Sequence, residues 1–466
     1  MKAILLIAVI LIFIYFAVIL AIRDSDSKLH FNFSDLRRIP LKVKNNFLWG
    51  SATSAYQVEG NCTNNNWNMF ENSVDEKGRP RIFEGQKAGK ASEEWNRYKE
   101  DIQLMKKLGL NAYRFSVEWS KIEPEEGKFD EKVLDHYEKL IDELLANGIK
   151  PMVTLHHFTN PIWFEKQGAF LQEDSPKKFA HFVENVFMRL GKKVNLWCTI
   201  NEPTVYAFNG YYFGEFPPAE KDMKKAAIVF RNLMRAHTEA YLIIKRHDLQ
   251  AQVGIATAMY AFDPSSWWNL IDVIAVHYAN RNMNEALLYY LNNGVFDFYY
   301  PFIVKEEYES ETLNTYDFIG INYYTGFSIK FSPFDKNIFQ DKKNISEDEK
   351  TDMGWAIYPE GLYRILKIVA SYTDKPIYIT ENGIADDSDT KRAKFITEHL
   401  LVMNKAISEG INIHGYYYWS LIDNFEWAYG FSKCFGLYAV DFNTQERTLR
   451  HGSNAYTEMI SKFDFF

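Results

Sequence analysis

Strand-like and helix-like runs alternate along this chain, and that alternation restricts the folds open to it. The strand candidates are Phe47–Thr53, Asn111–Trp119, Lys150–His157, Val194–Glu202, Ala251–Met259, Phe318–Tyr324, Pro376–Glu381 and Ile413–Leu421. All are short and rich in β-branched and aromatic residues. Glu94–Leu108, Val133–Ala146, Pro176–Leu190 and Lys391–Ser408 carry apolar residues at helical spacing. Each stops at or near a glycine: Gly109, Gly148, Gly191 and Gly410. Strands separated by helices pair in parallel, and eight of them close into a (β/α)8 TIM barrel. A doubly wound open sheet is the rival, but no Gly-rich phosphate loop follows the first strand. The segment after residue 46 is large for a barrel, so several loops must be long.

The 466 residues, 47% hydrophobic, suffice for one large domain or two ordinary ones. Formal charge is 53 − 61 = −8, which does not suit phosphate backbones, so no nucleic-acid partner is expected. Cys62, Cys198 and Cys434 are too few and too far apart for a disulfide framework or a metal site. No cofactor motif is present. Sequons at Asn32, Asn61 and Asn344 say little in a chain so rich in asparagine.

A barrel gathers its active site at the C-terminal ends of its strands. The residues there are Arg114, His157, Asn201 with Glu202, Asn322 with Tyr324, Glu381, and Trp419. One polar residue in such a place is commonly a satisfied group beneath a loop. Polar or ring side chains ending six of eight apolar strands converge on a site. Glu202 and Glu381 stand out because each closes a β-rich run and is followed at once by a breaker, Pro203 or Asn382-Gly383. Two carboxylates brought together this way are the minimum for cleaving a glycosidic bond. Two buried acids do not comfortably share one charge state, so their surroundings should separate their pKa values. Arg114 is the group placed to hold one of them ionised. The carboxyl separation, which decides between retention and inversion, is not set by the sequence.

Four segments make the reading specific: Ser54-Ala55-Tyr56-Gln57-Val58-Glu59-Gly60, Tyr113-Arg114-Phe115-Ser116-Val117-Glu118-Trp119, Ile379-Thr380-Glu381-Asn382-Gly383, and Trp419-Ser420-Leu421-Ile422-Asp423-Asn424-Phe425-Glu426-Trp427. With Asn201-Glu202-Pro203, they give a chain that resembles glycoside hydrolase family 1, the β-glucosidase and β-galactosidase family, from about Phe47 to Phe463. The resemblance implies retention, with Glu202 as general acid/base and Glu381 as nucleophile. It implies that Arg114 and Tyr324 orient Glu381, and that Asn201 binds the sugar 2-hydroxyl. Gln57, His157, Glu426 and Trp427 match contacts to the other hydroxyls, Trp419 the stacking floor, and Trp355 the leaving-group side. Asn322 is counted with the substrate-binding residues. The pair His156-His157 is ambiguous by itself, and the spacing to Pro161 selects His157. Phe158, Thr159 and Asn160 depart from the family's usual Trp and Asp-Leu after the histidine. Glu426-Trp427 argues against the branch that binds 6-phosphates. The segment from Gly214 to Ala251 is compact beside many relatives, which leaves the leaving-group side more open.

Ala3–Ile22 contains no charge, and twenty helical residues span roughly 30 Å, a bilayer's hydrocarbon thickness. Ile19-Leu20-Ala21 is a poor signal-peptidase site. The expectation is a single-pass anchor over residues 1–22, a juxtamembrane linker over 23–46 and a catalytic barrel over 47–466. Arg23, Lys28, Arg37 and Arg38 against Lys2 favour a cytoplasmic barrel, while Asp24, Asp26 and Asp35 offset that excess. The membrane side and the oligomeric state stay open. The leading function is hydrolysis of terminal β-D-glucosyl or β-D-galactosyl residues, with glycolipids or alkyl glycosides as substrates suggested by the anchor. A transglycosidase passing the sugar to another hydroxyl, and a non-catalytic sugar-binding module, are the alternatives. The module usually lacks one of the two glutamates, and this chain has both.

Overall fold

The computed structural model describes residues 2–22, 29–332, 339–341 and 349–465. Asn344, Arg23, Asp24, Asp26 and Lys28 lie outside the described residues. Eight parallel strands close a barrel: β1 Leu48–Ala52, β2 Ala112–Ser116, β3 Lys150–His156, β4 Leu196–Asn201, β5 Gln252–Ala258, β6 Phe318–Asn322, β7 Ile377–Asn382 and β8 Ile413–Trp419. They pair in chain order, and β8 returns to β1. The expected strands coincide with these eight, but several end a residue or two early. The chain leaves the ladder just before His157, Glu202 and Tyr324. Pairing register also shifts at Ile321/Asn322 and between Cys198 and Asn201. Such irregularities re-aim side chains at a sheet's functional end.

The interior is filled by Leu48, Ala112, Met152, Leu196, Phe318, Tyr378 and Tyr417. Gly50 makes room for one of these, since a Cβ there would lie 2.5 Å from the Tyr417 ring. Outside, α1 is Lys2–Ile22, α2 Glu94–Lys107, α3 Glu131–Ala146, α4 Ser175–Leu190, α5 Met223–His247, α6 Leu270–Ala279, α7 Pro359–Tyr372 and α8 Arg392–Ser408. Asp130 and Asp222 cap α3 and α5 by accepting from backbone amides of the first turn. Leu134, Ile141 and Leu144 on α3 are buried at helical spacing.

Two additions lie beyond β5 and β6. Ala261–Pro264 pairs in parallel with Gly326–Phe331, and α6 packs on this pair through Ala275, Val276 and Ala279. Val295–Tyr300 and Val304–Glu309 form a hairpin.

The stretch read as a juxtamembrane linker is packed on the barrel from Leu29 onward. The Leu29 carbonyl accepts from Tyr358 Oη at 3.0 Å, and Phe31 N donates to Glu360 Oε1 at 3.0 Å. Leu36 and Val43 are buried. Lys42–Val43 then pairs with Asp464–Phe465, tying the strap to the C-terminal strand. Apolar residues at Leu29, Phe31, Leu36 and Val43 give this strap its hold. Within the described residues, α1 is a helix long and apolar enough to cross a membrane, and its Ile4–Ala21 stretch is almost wholly exposed.

Candidate active site

Six strand ends deliver the site. Arg114 on β2 is buried at 1% exposure and acts as its hub. Its Nη1 donates to Glu381 Oε1 at 2.6 Å, its Nη2 to Asn201 Oδ1 at 2.6 Å, and its Nε to Thr154 Oγ1 at 3.1 Å. Tyr324 Oη donates to the other oxygen of Glu381 at 2.7 Å. Glu202 has different company. Its Oε1 accepts from Asn322 Nδ2 at 2.9 Å, and among the described residues no cation pairs with it. The same amide donates to Asn201 Oδ1 at 3.0 Å, and Thr380 Oγ1 fixes its orientation by donating to Asn322 Oδ1 at 2.7 Å.

The backbone aims both acids. Glu202 sits at φ 43°, ψ 64°, the left-handed region, and Pro203 starts the next helix immediately. A non-glycine residue held there marks a constrained functional position. After Glu381 and Asn382, Gly383 lies against β8: a Cβ would come 1.8 Å from the Trp419 carbonyl oxygen. Gly383 is therefore a steric requirement of its turn, while Pro203 opens the short helix that follows Glu202.

These surroundings separate the two acids. Burial, and then the Glu381 charge, push Glu202 up to about 8. Burial raises Glu381 as well, but Arg114, Tyr324 and Asn322 all oppose it. Burial leaves Glu381 raised overall, but of the two acids it is the one whose ionised form a cation and a hydroxyl favour, while Glu202 is the one pushed furthest towards keeping its proton.

The two acids open on a cavity of about 270 Å³ lined also by His157, Tyr324, Trp355, Trp419, Glu426 and Trp427. Trp419 and Trp427 both stack near His157, at ring-centre distances of 5.8 and 6.0 Å. His157 Nε2 meets Asn201 Nδ2 at 3.1 Å, while its buried Nδ1 has no protein partner among the described residues. His156 points the other way, into a cluster with Phe170 and Tyr206, and bonds Asn160. Strand alternation thus resolves the histidine pair as the spacing to Pro161 did. Gln57 is buried beside Glu426, donating through Nε2 to Glu426 Oε2 at 3.1 Å and to Asn424 Oδ1 at 2.9 Å. Burial pushes Glu426 up to about 8.

All twelve residues singled out in the sequence come together. The sequence reading missed Glu215, Phe216, Tyr260, Phe327, Met353 and Phe435, which also line the cavity. Tyr260 and Phe327 follow β5 and β6 by a few residues, and aromatics just past a strand end were the available signal. Among the described residues, no group of three His, Cys, Asp or Glu side chains is placed to hold a metal.

A closed barrel whose rim brings together two buried carboxyls in unlike surroundings, over a cavity walled by aromatic rings and polar side chains, is the arrangement of a glycosidase. The chain belongs to glycosyl hydrolase family 1, whose model matches residues 40–465. It is 35% identical over 453 residues to β-glucosidase A of Acetivibrio thermocellus, an alignment covering 90% of this chain and 98% of that one. The structure of a β-glycosidase from Pyrococcus horikoshii is similar at TM-score 0.82 and 41% identity, covering 91% of this chain and 96% of the other. A β-glucosidase from Thermotoga maritima in complex with glucoimidazole is similar at TM-score 0.82 and 33% identity, covering 90% and 99%. The protein is a retaining β-glycosidase of the β-glucosidase type.

Proposed function

We propose that the protein removes terminal non-reducing β-D-glucosyl residues, and β-D-galactosyl residues with them, from amphiphilic glycosides at a membrane. Glu381 is the nucleophile and Glu202 the acid/base. In the first step Glu381 attacks the anomeric carbon while Glu202 gives its proton to the departing glycosidic oxygen. This leaves a glycosyl ester on Glu381 and an ionised Glu202. Glu202 then takes a proton from water, whose oxygen attacks the same carbon and releases Glu381. The charge alternates between the two acids, so each lowers the other's cost at the moment it is needed.

One observation carries this assignment: Arg114 and Tyr324 both donate to Glu381, whereas among the described residues Glu202 receives only a neutral amide. Asn201 presents its amide to the sugar 2-hydroxyl. His157 Nδ1, Gln57 and Glu426 bind the remaining hydroxyls, and Trp419 and Trp427 provide apolar faces. Trp355 packs on the leaving group, next to Tyr324 at a ring distance of 5.7 Å. The length and apolarity of α1 support a single-pass anchor. The relatives named as β-glucosidases support the sugar.

A 2-deoxy-2-fluoro β-glucoside with a good leaving group tests the roles. It should inactivate the enzyme by forming a stable ester, and peptide mass mapping should find the label on Glu381. A label on any other residue overturns the assignment.

A further inference from the structure

We propose that an apolar trough beside the catalytic cavity holds the hydrocarbon chain of the substrate, which enters from the bilayer side. The proposal rests on the glucosidase reading and adds where the lipid part goes.

The trough encloses about 500 Å³, a size typical of small-molecule sites. Phe262, Ala279, Met283 and Ile329, which pack with one another, line it together with Phe208, Tyr212, Met223 and Tyr300. Tyr260, Phe327, Val205, Asn209 and Glu215 line both the trough and the catalytic cavity. The two spaces therefore share a wall on the leaving-group side, away from the residues assigned to the sugar hydroxyls. A chain attached to the departing oxygen has an apolar path to follow.

The outer face of this wall is also apolar. It is built by α6, whose Ile271 and Ile274 are exposed and whose one acid, Asp272, is buried and accepts from Phe331 N at 3.0 Å. Trp268, just before α6, is 73% exposed. Tyr278 at the far end of α6 packs on Tyr299 and Tyr300 of the hairpin, whose turn projects a fully exposed Phe302. Exposed apolar residues in this arrangement mark contact with lipid or partner.

Two sets of contacts identify lipid. First, α1 touches this face. The Tyr15 hydroxyl donates to the Trp268 carbonyl, Leu270 N donates back to it at 3.2 Å, and Phe16 meets the Trp268 ring at 5.9 Å. Tyr15 is seven residues before the end of α1, about 10 Å along the helix axis. With α1 in a bilayer, Trp268 and the start of α6 lie at the acyl boundary, where tryptophan is favoured. Second, the chain joins the body at the barrel's mouth. Leu29 and Phe31 bond Tyr358 and Glu360, at the start of α7. Barrel helices run opposite to the strands, so that end of α7 is the catalytic end. Anchor, apolar face and trough lie on the mouth side of the barrel.

The test uses the full chain in phosphatidylcholine nanodiscs with methyl, butyl, hexyl and octyl β-glucosides below their micelle concentrations. KM should fall by about fourfold for each methylene that reaches the trough, equivalent to ~0.8 kcal/mol. Ala279→Phe fills the trough, and Ile329→Gln and Met283→Gln make it polar; each should flatten that slope. Partition into the disc is common to all proteins compared, so the difference in slope reports the trough. Melting curves identify any variant that fails to fold, and the others then carry the comparison. A flat slope for the unaltered protein, or an equal slope in the folded variants, overturns the trough while leaving the glucosidase reading intact. Turnover of none of the four glucosides by the folded protein overturns both.

Discussion

Asn322 Nδ2 donates to Glu202 Oε1 at 2.9 Å and is the only protein donor found on that carboxyl among the described residues. A neutral amide leaves the acid free to keep its proton, and burial then sets its pKa at about 8. kcat/KM for alkyl glucosides should therefore fall as pH rises through about 8, when Glu202 loses the proton it must donate. Glu202→Gln should remove that basic limb and lower kcat/KM by roughly 10²- to 10⁴-fold. Substrates with strongly acidic phenol leaving groups should keep a fast first step, visible as a burst of phenol.

Tyr324→Phe tests the other acid. The lost hydrogen bond goes to a charged group, and such bonds contribute about 1.5–3 kcal/mol, or roughly 10- to 100-fold in kcat/KM. The bond favours the ionised form of Glu381. Its loss raises the Glu381 pKa, so the acidic limb of the pH profile should move to higher pH. An unmoved acidic limb would show that Arg114 alone holds the charge.

Gly383→Ala should damage the site without touching an acid. The new Cβ would meet the Trp419 carbonyl oxygen at 1.8 Å, and backbone on both sides has little room to yield. Overpacking of this kind costs about 1–3 kcal/mol or more. The expected result is a lower melting temperature together with loss of turnover. An active, equally stable variant would count against the described approach of β7 and β8.

Acid stability should depend on buried histidines. His237 is sealed between Thr199 Oγ1 at 2.7 Å and the Thr315 carbonyl at 2.7 Å. Burial lowers its pKa from 6.5 to about 4. At pH 7 it is neutral both folded and unfolded and contributes no pH dependence. As pH falls from 6.5 towards 4, the unfolded chain binds a proton that the native state excludes, and stability drops by up to ~3 kcal/mol. His237→Gln should lose less stability than the unaltered protein between pH 7 and pH 4, measured by calorimetric melting.

The barrel was legible because its strands are buried on both sides and read as unbroken β-rich runs, as in Trp197–Ile200 and Ile377–Thr380. The acids were legible because a breaker follows each at the turn that aims it. Residues with no such marker were not. Ala261–Pro264 and Gly326–Phe331 lie outside the strand-helix alternation, and their pairing depends on contacts far apart in the chain. α6 is apolar on nearly all sides, so no face of it announces a partner. The strap of residues 29–43 looked like a linker because Pro40 and its charges outweigh the few apolar residues that dock it.

That strap sets where the enzyme begins. The polypeptide is packed on the barrel from Leu29 onward, and α1 ends at Ile22, so Arg23–Lys28 is the stretch that joins them. A single proteolytic cut within those six residues would leave the pairing of Lys42–Val43 with Asp464–Phe465 intact. If α1 anchors the protein as proposed above, a cut at that point would free the folded barrel from the bilayer, and one gene product could then serve both bilayer-bound and dissolved substrates.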